Sequence, residues 1–332
     1  YLTFVQRIEF SVNLLTSLFK QLITADASFF LGSTEGIVVQ PTANFPNYLT
    51  TGYPQASFVP YMNINNNKRI GFDFNVNFNQ RFGEVDFILG VAGTYYDTKA
   101  TKRSEVNEFA YQNRTGKPVD GIWGLQSAGF FESQEEIDNS PEQKFGGTLK
   151  PGDIKYIDQN NDGVIDDKDQ IFLGKGGWYG SPFTLGVNLT AKWRDFTFFV
   201  LGTGGFGGYG MKSSSYYWVS GNGKYSAIVR NRWTEDTKDT ATYPRLTTES
   251  GANNFRSSDF WLYKTDRFDL AKVQVTYDFP KSMFQNSFIQ GLSAYVSGAN
   301  LLTISKERKH MEMSVGSAPQ SRFYNIGIKA LF

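Results

Sequence analysis

The chain has no cysteine and a single histidine, His310. Disulfides and thiolate metal sites are excluded, and a cysteine-free chain crosses an oxidising compartment without mispairing. His310 sits in the charged stretch Lys306-Glu-Arg-Lys-His310 with no evident catalytic partner. The usual nucleophile–base pairs therefore cannot be assembled. Carboxylate pairs catalyse glycoside hydrolysis, but no spacing singles out such a pair, so an enzyme is not expected. There is no run of about 18 apolar residues, which excludes a transmembrane helix. Lys and Arg number 33 against 32 Asp and Glu, a net charge of +1. This gives no bulk attraction to nucleic acid, and none is expected as a partner. Tyr1 is no initiator, and no basic-then-apolar export signal follows it. The expectation is a fragment whose N-terminal part is missing.

Phe (30), Tyr (18) and Gly (33) are abundant. These residues favour strands, turns and interfacial girdles. The closing segment 322–332 places Tyr324, Ile326, Ile328, Ala330 and Phe332 on one face of a strand, and Asn325, Gly327 and Lys329 on the other. Four further segments alternate in the same way. In 71–79, Phe72, Phe74, Val76 and Phe78 oppose Asp73, Asn75 and Asn77. After a short turn through Arg81–Glu84, Val85, Phe87, Leu89, Val91 and Gly93 share a face. Phe183, Leu185, Val187, Leu189, Ala191 and Trp193 oppose Thr184, Gly186, Asn188, Thr190 and Lys192. Ala271, Val273, Val275, Tyr277 and Phe279 oppose Lys272, Gln274, Thr276 and Asp278. Weaker strands are expected at 8–13, 19–30 and 292–304, and Arg194-Asp195 is a tight turn into 196–201. Roughly ten strands result.

The connections are unequal. Arg81–Glu84 and Arg194-Asp195 are very short, whereas 97–121, 132–181, 203–257 and 305–321 are long and rich in Asn, Ser, Gly and Asp. Short turns on one rim and long loops on the other are the pattern of an outer-membrane barrel. The fold class is therefore all-β: a transmembrane antiparallel β-barrel with short periplasmic turns and long extracellular loops. Its greasy face would meet membrane lipid and its wet face the lumen.

The sharpest local motif is Asp158–Asp169. It fits a twelve-residue calcium loop, with oxygen ligands at Asp158, Asn160 and Asp162, Gly163 at the sharp turn and the Val164 carbonyl. Ile165 is the apolar plug, Asp166 binds through water, and Asp169 closes the loop where an EF-hand has Glu. The bland alternative is an acidic Asx-turn loop without metal. Gly202-Thr-Gly-Gly-Phe-Gly207 matches G-x-G-x-x-G, but no amphipathic helix follows, so it reads as a glycine-rich loop at a strand end. Ser133-Gln-Glu-Glu136 is a capping box for a short surface helix. Tyr216-Tyr-Trp218 and Trp178-Tyr179 are suited either to stacking on a sugar or to girdle and loop-core packing.

Several segments together resemble the SusC/RagA-type TonB-dependent outer-membrane transporters of Bacteroidetes. They include Ile8-Glu-Phe-Ser-Val with Leu18–Leu22, Gly36-Ile-Val-Val-Gln40, Gly116-Lys-Pro118 with Ile122-Trp-Gly124, and Gly129–Ile137. Gly152-Asp-Ile-Lys-Tyr156 runs into the calcium-like loop. Asn231-Arg-Trp-Thr234, Tyr243-Pro-Arg-Leu246, Ser258-Asp-Phe-Trp-Leu262, Tyr277–Lys281, Tyr295–Thr303 and the last strand complete the series. The resemblance implies a plugged barrel of about 22 strands. It also implies a SusD-like surface lipoprotein as lid, coupling to the TonB complex through the missing N-terminal part, and import of oligomeric nutrients, glycans or peptides. Residues 1–332 would be the C-terminal part of that barrel, with the plug and remaining strands outside the chain. The rivals are a passive porin or adhesin barrel, and a soluble calcium-binding β-sandwich that binds sugars.

Overall fold

The computed structural model describes residues 2–51, 56–176, 181–219, 221, 226–248, 252–284, 288–313 and 318–332. Its centre is one nine-stranded antiparallel sheet in which every strand pairs with its neighbours in sequence. We number these strands β1 (Gln6–Leu18), β2 (Ile23–Val39), β3 (Met62–Phe82), β4 (Val85–Lys102), β5 (Phe183–Trp193), β6 (Phe196–Phe206), β7 (Arg267–Asp278), β8 (Gly291–Ile304) and β9 (Phe323–Leu331). β1 and β9 form the two edges. Strands this long, up to 21 residues in β3, exceed what a soluble sandwich normally uses and suffice to cross a tilted bilayer path.

Register turns the sequence alternation into two coherent faces. Val76, Val91, Val187 and Gly202 stand side by side across β3–β6. Phe198, Val275, Val296 and Ile326 continue the same face through β9. Many of these side chains are open to the surroundings; Ile326 is 85% exposed and Ile328 75%. An apolar face this wide is not tolerated in water and marks contact with lipid.

Two aromatic rows bound it. Near the short turns, Trp193 stacks on Phe196 at 6.3 Å, Phe196 meets Tyr277 at 4.9 Å, and Tyr277 meets Phe279 at 5.1 Å. Toward the other rim, Phe72 meets Tyr95 at 5.7 Å and Phe183 meets Phe206 at 6.1 Å. From Trp193 to Phe183 is about ten residues along β5. At ~3.3 Å per residue and a tilt of about 40°, that spans roughly 25 Å, the height of an outer-membrane apolar band.

Several expectations needed adjustment. The second strand starts at Ile23, because Phe19, Lys20 and Gln21 adopt positive φ (54°, 56°, 70°) and form the turn. β3 begins at Met62, well before the alternating segment, through the polar run Asn63–Asn67. The glycine run 202–206 lies inside β6 and not in a loop. A Cβ at Gly202 would stand 2.4 Å from Phe268 Cζ, so glycine there makes room for that ring. The remaining connections follow the unequal pattern: 19–22, 83–84 and 194–195 on one rim, against 40–61, 103–182, 207–266 and 305–322 on the other.

The closely packed core lies in those long loops. Leu125, Phe145, Ile154, Tyr156, Ile165, Tyr217, Val219, Val229, Tyr243 and Trp261 form one buried cluster. The described residues of 103–182 and 207–266 thus fold together as a module above one rim of the wall. Small ladders support it: Ser127–Phe130 with Ile154–Tyr156, and Gly121–Gly124 with Ile171–Lys175. The helix Gln134–Asp138 is capped by Ser133, whose Oγ accepts from Glu136 N at 3.1 Å. Tyr217 and Trp218 belong to this core, with Trp218 stacked on Phe255 at 6.1 Å. Trp178-Tyr179 lies outside the described residues.

Candidate functional site

The second face of the wall is polar, and its polar groups are paired across strands. Asn13 faces Ser28 and Asp26 faces Asn75 in register, and both pairs are hydrogen-bonded, the latter at 3.0 Å. Ser293 donates to Asp278 at 2.6 Å and Thr303 to Asp269 at 2.5 Å. On a lumen wall such ladders keep donors and acceptors at the water boundary, without the apolar filling of a closed core. Across β1–β4 this face forms a concavity of about 630 Å³, lined by Arg7, Glu9, Phe30, Arg69, Asp73 and Tyr96 among others. The Arg69 guanidinium lies 5.0 Å over the Phe30 ring. That ring in turn covers Gly71, where a Cβ would stand 2.4 Å from Phe30 Cζ. The concavity therefore offers both signs of charge and an aromatic surface, a combination suited to polar solutes.

The module above the wall is built on a buried polar knot. The Asp153 carboxylate accepts from Asn254 Nδ2 at 2.8 Å and Lys150 N at 2.9 Å, and Arg245 Nη2 donates to it at 3.0 Å. Arg245 Nε approaches the same group at 2.8 Å as an ion pair. Asn254 Oδ1 accepts from Ile154 N, and Asn254 O from Trp261 Nε1, both at 2.8 Å. Trp233 covers Gly152, where φ is +91° and a Cβ would meet the indole at 2.5 Å. The scattered segments 152–156, 231–234, 243–246 and 258–262 thus meet in one place. Their residue types are explained by this knot: glycine for the close approach, and Asp, Arg and Asn for buried polar satisfaction. Sequence reasoning missed Asn253 and Asn254, which bond Gln143, Ile154 and Asp153 across about a hundred residues. Nothing local in their spacing signals it. Burial also pushes up the Tyr156 phenol, and that of Tyr243 to about 12, so both remain neutral donors.

The loop Asp158–Asp169 lies in the same module. Its turn forms as expected, with Gly163 at φ +83° and Val164-Ile165 pairing in parallel with Glu142-Gln143. Asp158 accepts from Asn161 N (2.7 Å) and Gly163 N (2.9 Å), Asn160 from Asp162 N (3.0 Å), and Asp162 from Val164 N (2.9 Å). Asp166 accepts from Lys168 N at 2.7 Å. Buried Asp169 accepts from Gln159 N and Asp166 N, each at 2.8 Å. Among the described residues no three acidic or imidazole side chains stand at metal-ligand spacing. Each carboxylate oxygen nevertheless keeps a second lone pair beyond the bond it accepts. The donor set is all oxygen, as a hard cation requires, and the ligands would need to close inward upon it.

His310 lies on a short helix, Arg308–Met313, of the 305–322 loop. Its Nδ1 is 2.5 Å from the Tyr217 hydroxyl, and its ring meets Tyr263 at 4.7 Å. Burial, then nearby Lys212, holds its pKa below the usual value, against the opposing pull of Glu307. The contact clasps this loop to the module and brings no nucleophile.

A polar lumen face, a lipid-facing belt with two girdles and an ordered module on one rim define the wall of an outer-membrane β-barrel. No protein-family profile matches the chain. It is 29% identical over 195 residues to TonB-dependent receptor P26 of Formosa agariphila, covering 56% of this chain and 18% of that protein. It is 21% identical over 238 residues to TonB-dependent receptor P3 of the same organism, covering 66% of this chain and 23% of the relative. The chain thus spans about a fifth of the length of these relatives. Among solved structures, the RagAB peptide importer in its open-open state superposes with a TM-score of 0.71 at 18% identity, over 100% of this chain and 35% of that one. The closed-closed state gives 0.70 at 19% identity, over 98% and 35%. The chain is thus similar in sequence to TonB-dependent receptors and in fold to the RagAB importer, and both likenesses place it in the outer membrane.

Proposed function

We propose that this wall belongs to an energised importer of oligomeric nutrients, glycans or peptides, and forms the C-terminal part of its barrel. The observation that carries the reading is the polar, charge-bearing concavity of about 630 Å³ on the lumen face, backed by an apolar belt. A wall performs no chemistry, but with a plug it makes a gated path for solutes too large for a porin. The loop module on one rim suits a SusD-like lipoprotein as lid, and the TonB complex would act through the plug. Cells lacking the protein should fail to grow on one class of oligomeric nutrient, and cells lacking TonB should fail in the same way. Uptake that persists without TonB would leave the passive-porin reading in place.

We also infer a structural calcium ion at Asp158, Asn160, Asp162, Val164, Asp166 and Asp169, bound through oxygen alone at about 2.3–2.6 Å. The support is the turn geometry around Gly163 and the mutual repulsion of the loop's carboxylates without a cation. Calorimetry on the intact transporter that detects no calcium binding would remove it.

A further inference from the structure

The outward face of β1–β4 changes character in three successive rows toward the rim of the long loops. Register aligns Phe29, Phe72, Tyr95 and Phe183 in an aromatic row. The next row is Phe10, Leu31, Ile70 and Asp97, whose three apolar side chains are all exposed. The third is Ile8, Ser33, Lys68 and Lys99. At ~3.3 Å per residue and a tilt of about 40°, the lysines stand roughly 5 Å beyond Ile70. They mark the upper end of the greasy belt on β3 and β4.

Lys68 and Lys99 are exposed and lie directly opposite one another across the strands. Like charges so placed repel. Among the described residues neither ammonium is ion-paired. Asp97, in the row below, is already neutralised by Lys175 at 2.5 Å, and the Lys175 ammonium lies 6.0 Å over the Tyr95 ring. Glu35 stands one row higher, opposite Gln6 and toward the β1 edge, and is paired with neither lysine. Ala100 N donates to Lys117 O at 2.9 Å, which brings another exposed lysine beside Lys99. Four lysines thus face two carboxylates, one of them spent. A lone lysine at this depth would snorkel to water. Two held directly opposite one another call for a shared anion. Lysine is a point-charge partner for phosphate, and the exposed strip Phe10, Leu31 and Ile70 lies immediately below for acyl chains. A soluble anion would leave that strip unused.

We propose that Lys68 and Lys99 hold the phosphate of an outer-leaflet lipid headgroup, with its acyl chains along Phe10, Leu31 and Ile70. The bound lipid anchors the loop rim at the membrane surface and cancels the repulsion between the two strands. The proposal rests on the outward face meeting lipid. It is independent of the solute and of TonB coupling.

The test is native mass spectrometry of the full-length protein in neutral detergent with diphosphorylated lipid A, its dephosphorylated form, phosphatidylethanolamine and inorganic phosphate. Diphosphorylated lipid A should be retained, and the dephosphorylated form and phosphatidylethanolamine about tenfold less. Lys68→Gln with Lys99→Gln should lower retention about tenfold or more, since each lysine near the surface contributes to headgroup binding. Lys192→Gln with Lys329→Gln, on the polar face, should leave it unchanged. Lys99→Glu turns the like-charge pair into an opposite-charge pair, so it should keep the parent's heat stability and still lose the lipid. Equal retention by parent and Lys68/Lys99 variants, equal retention of phosphorylated and dephosphorylated lipid, or displacement of the lipid by inorganic phosphate at equal concentration would each overturn the assignment. Uptake and its TonB dependence are measured separately, so this site and the importer reading fail independently.

Discussion

The wall and the loop module use their large apolar residues in opposite ways. In the wall, Phe72, Phe198 and Ile326 point away from the protein. In the module, Phe131 and Tyr243 are fully buried and Trp261 nearly so. The wall keeps its polar groups on the second face, paired across strands at a water boundary. The module buries its own around Asp153 and Asn254. The difference is the solvent outside each. Lipid removes the need to hide apolar side chains, whereas water above the rim demands a conventional core.

The largest test of this contrast is Trp261→Ala. Emptying that site should cost the module about 3–5 kcal/mol. Limited proteolysis should then cut within 207–266 while the wall keeps its heat-resistant mobility on gels; simultaneous loss of both would merge the two regions into one cooperative unit. In the wall, Val187→Arg should cost roughly 2–4 kcal/mol near the midplane and Asn188→Arg far less. Refolding into liposomes measures both, and equal costs would deny the two faces different solvents.

Smaller effects follow in the module. Asp158→Ala with Asp162→Ala should abolish calcium binding and loosen 132–181, seen as faster hydrogen exchange there with β5 and β6 unchanged. At His310 the folded pKa lies below the unfolded value. The unfolded loop therefore takes up the proton first, and the clasp weakens as pH falls below about 6.5. Histidine NMR and exchange rates of 305–313 check this; a clasp that tightens with acid would reverse the sign. Smallest is Arg194→Ala at the exposed Arg194–Glu84 pair, expected to change stability by no more than about 1 kcal/mol.

Strand periodicity made much of the wall legible. Phe183–Trp193 and the last strand were located to within a residue or two, because a period of two is set locally by the pleat. Val85–Gly93 was located at its start only, since that strand runs on to Lys102, into the stretch 97–121 expected as loop. Strand ends in polar sequence were not legible. Asn63–Asn67 reads as loop chemistry, yet the neighbouring strands hold it in register. The module was legible only as motifs without a purpose. Gly152, Asp153, Arg245 and Trp261 gain their meaning from contacts across long stretches of chain, which no local pattern carries.

The central claim is that one face of the sheet meets lipid and the other water, and one scan tests it directly. Nitroxide labels placed singly at positions 184 to 191 of the full-length protein, reconstituted in bilayers, report collision with oxygen and with a water-soluble nickel chelate. The account predicts alternation with period two: oxygen contact at 185, 187, 189 and 191, chelate contact at 184, 186, 188 and 190. Labels sheltered from both probes at the odd positions would place Val187 in a closed protein core and contradict it.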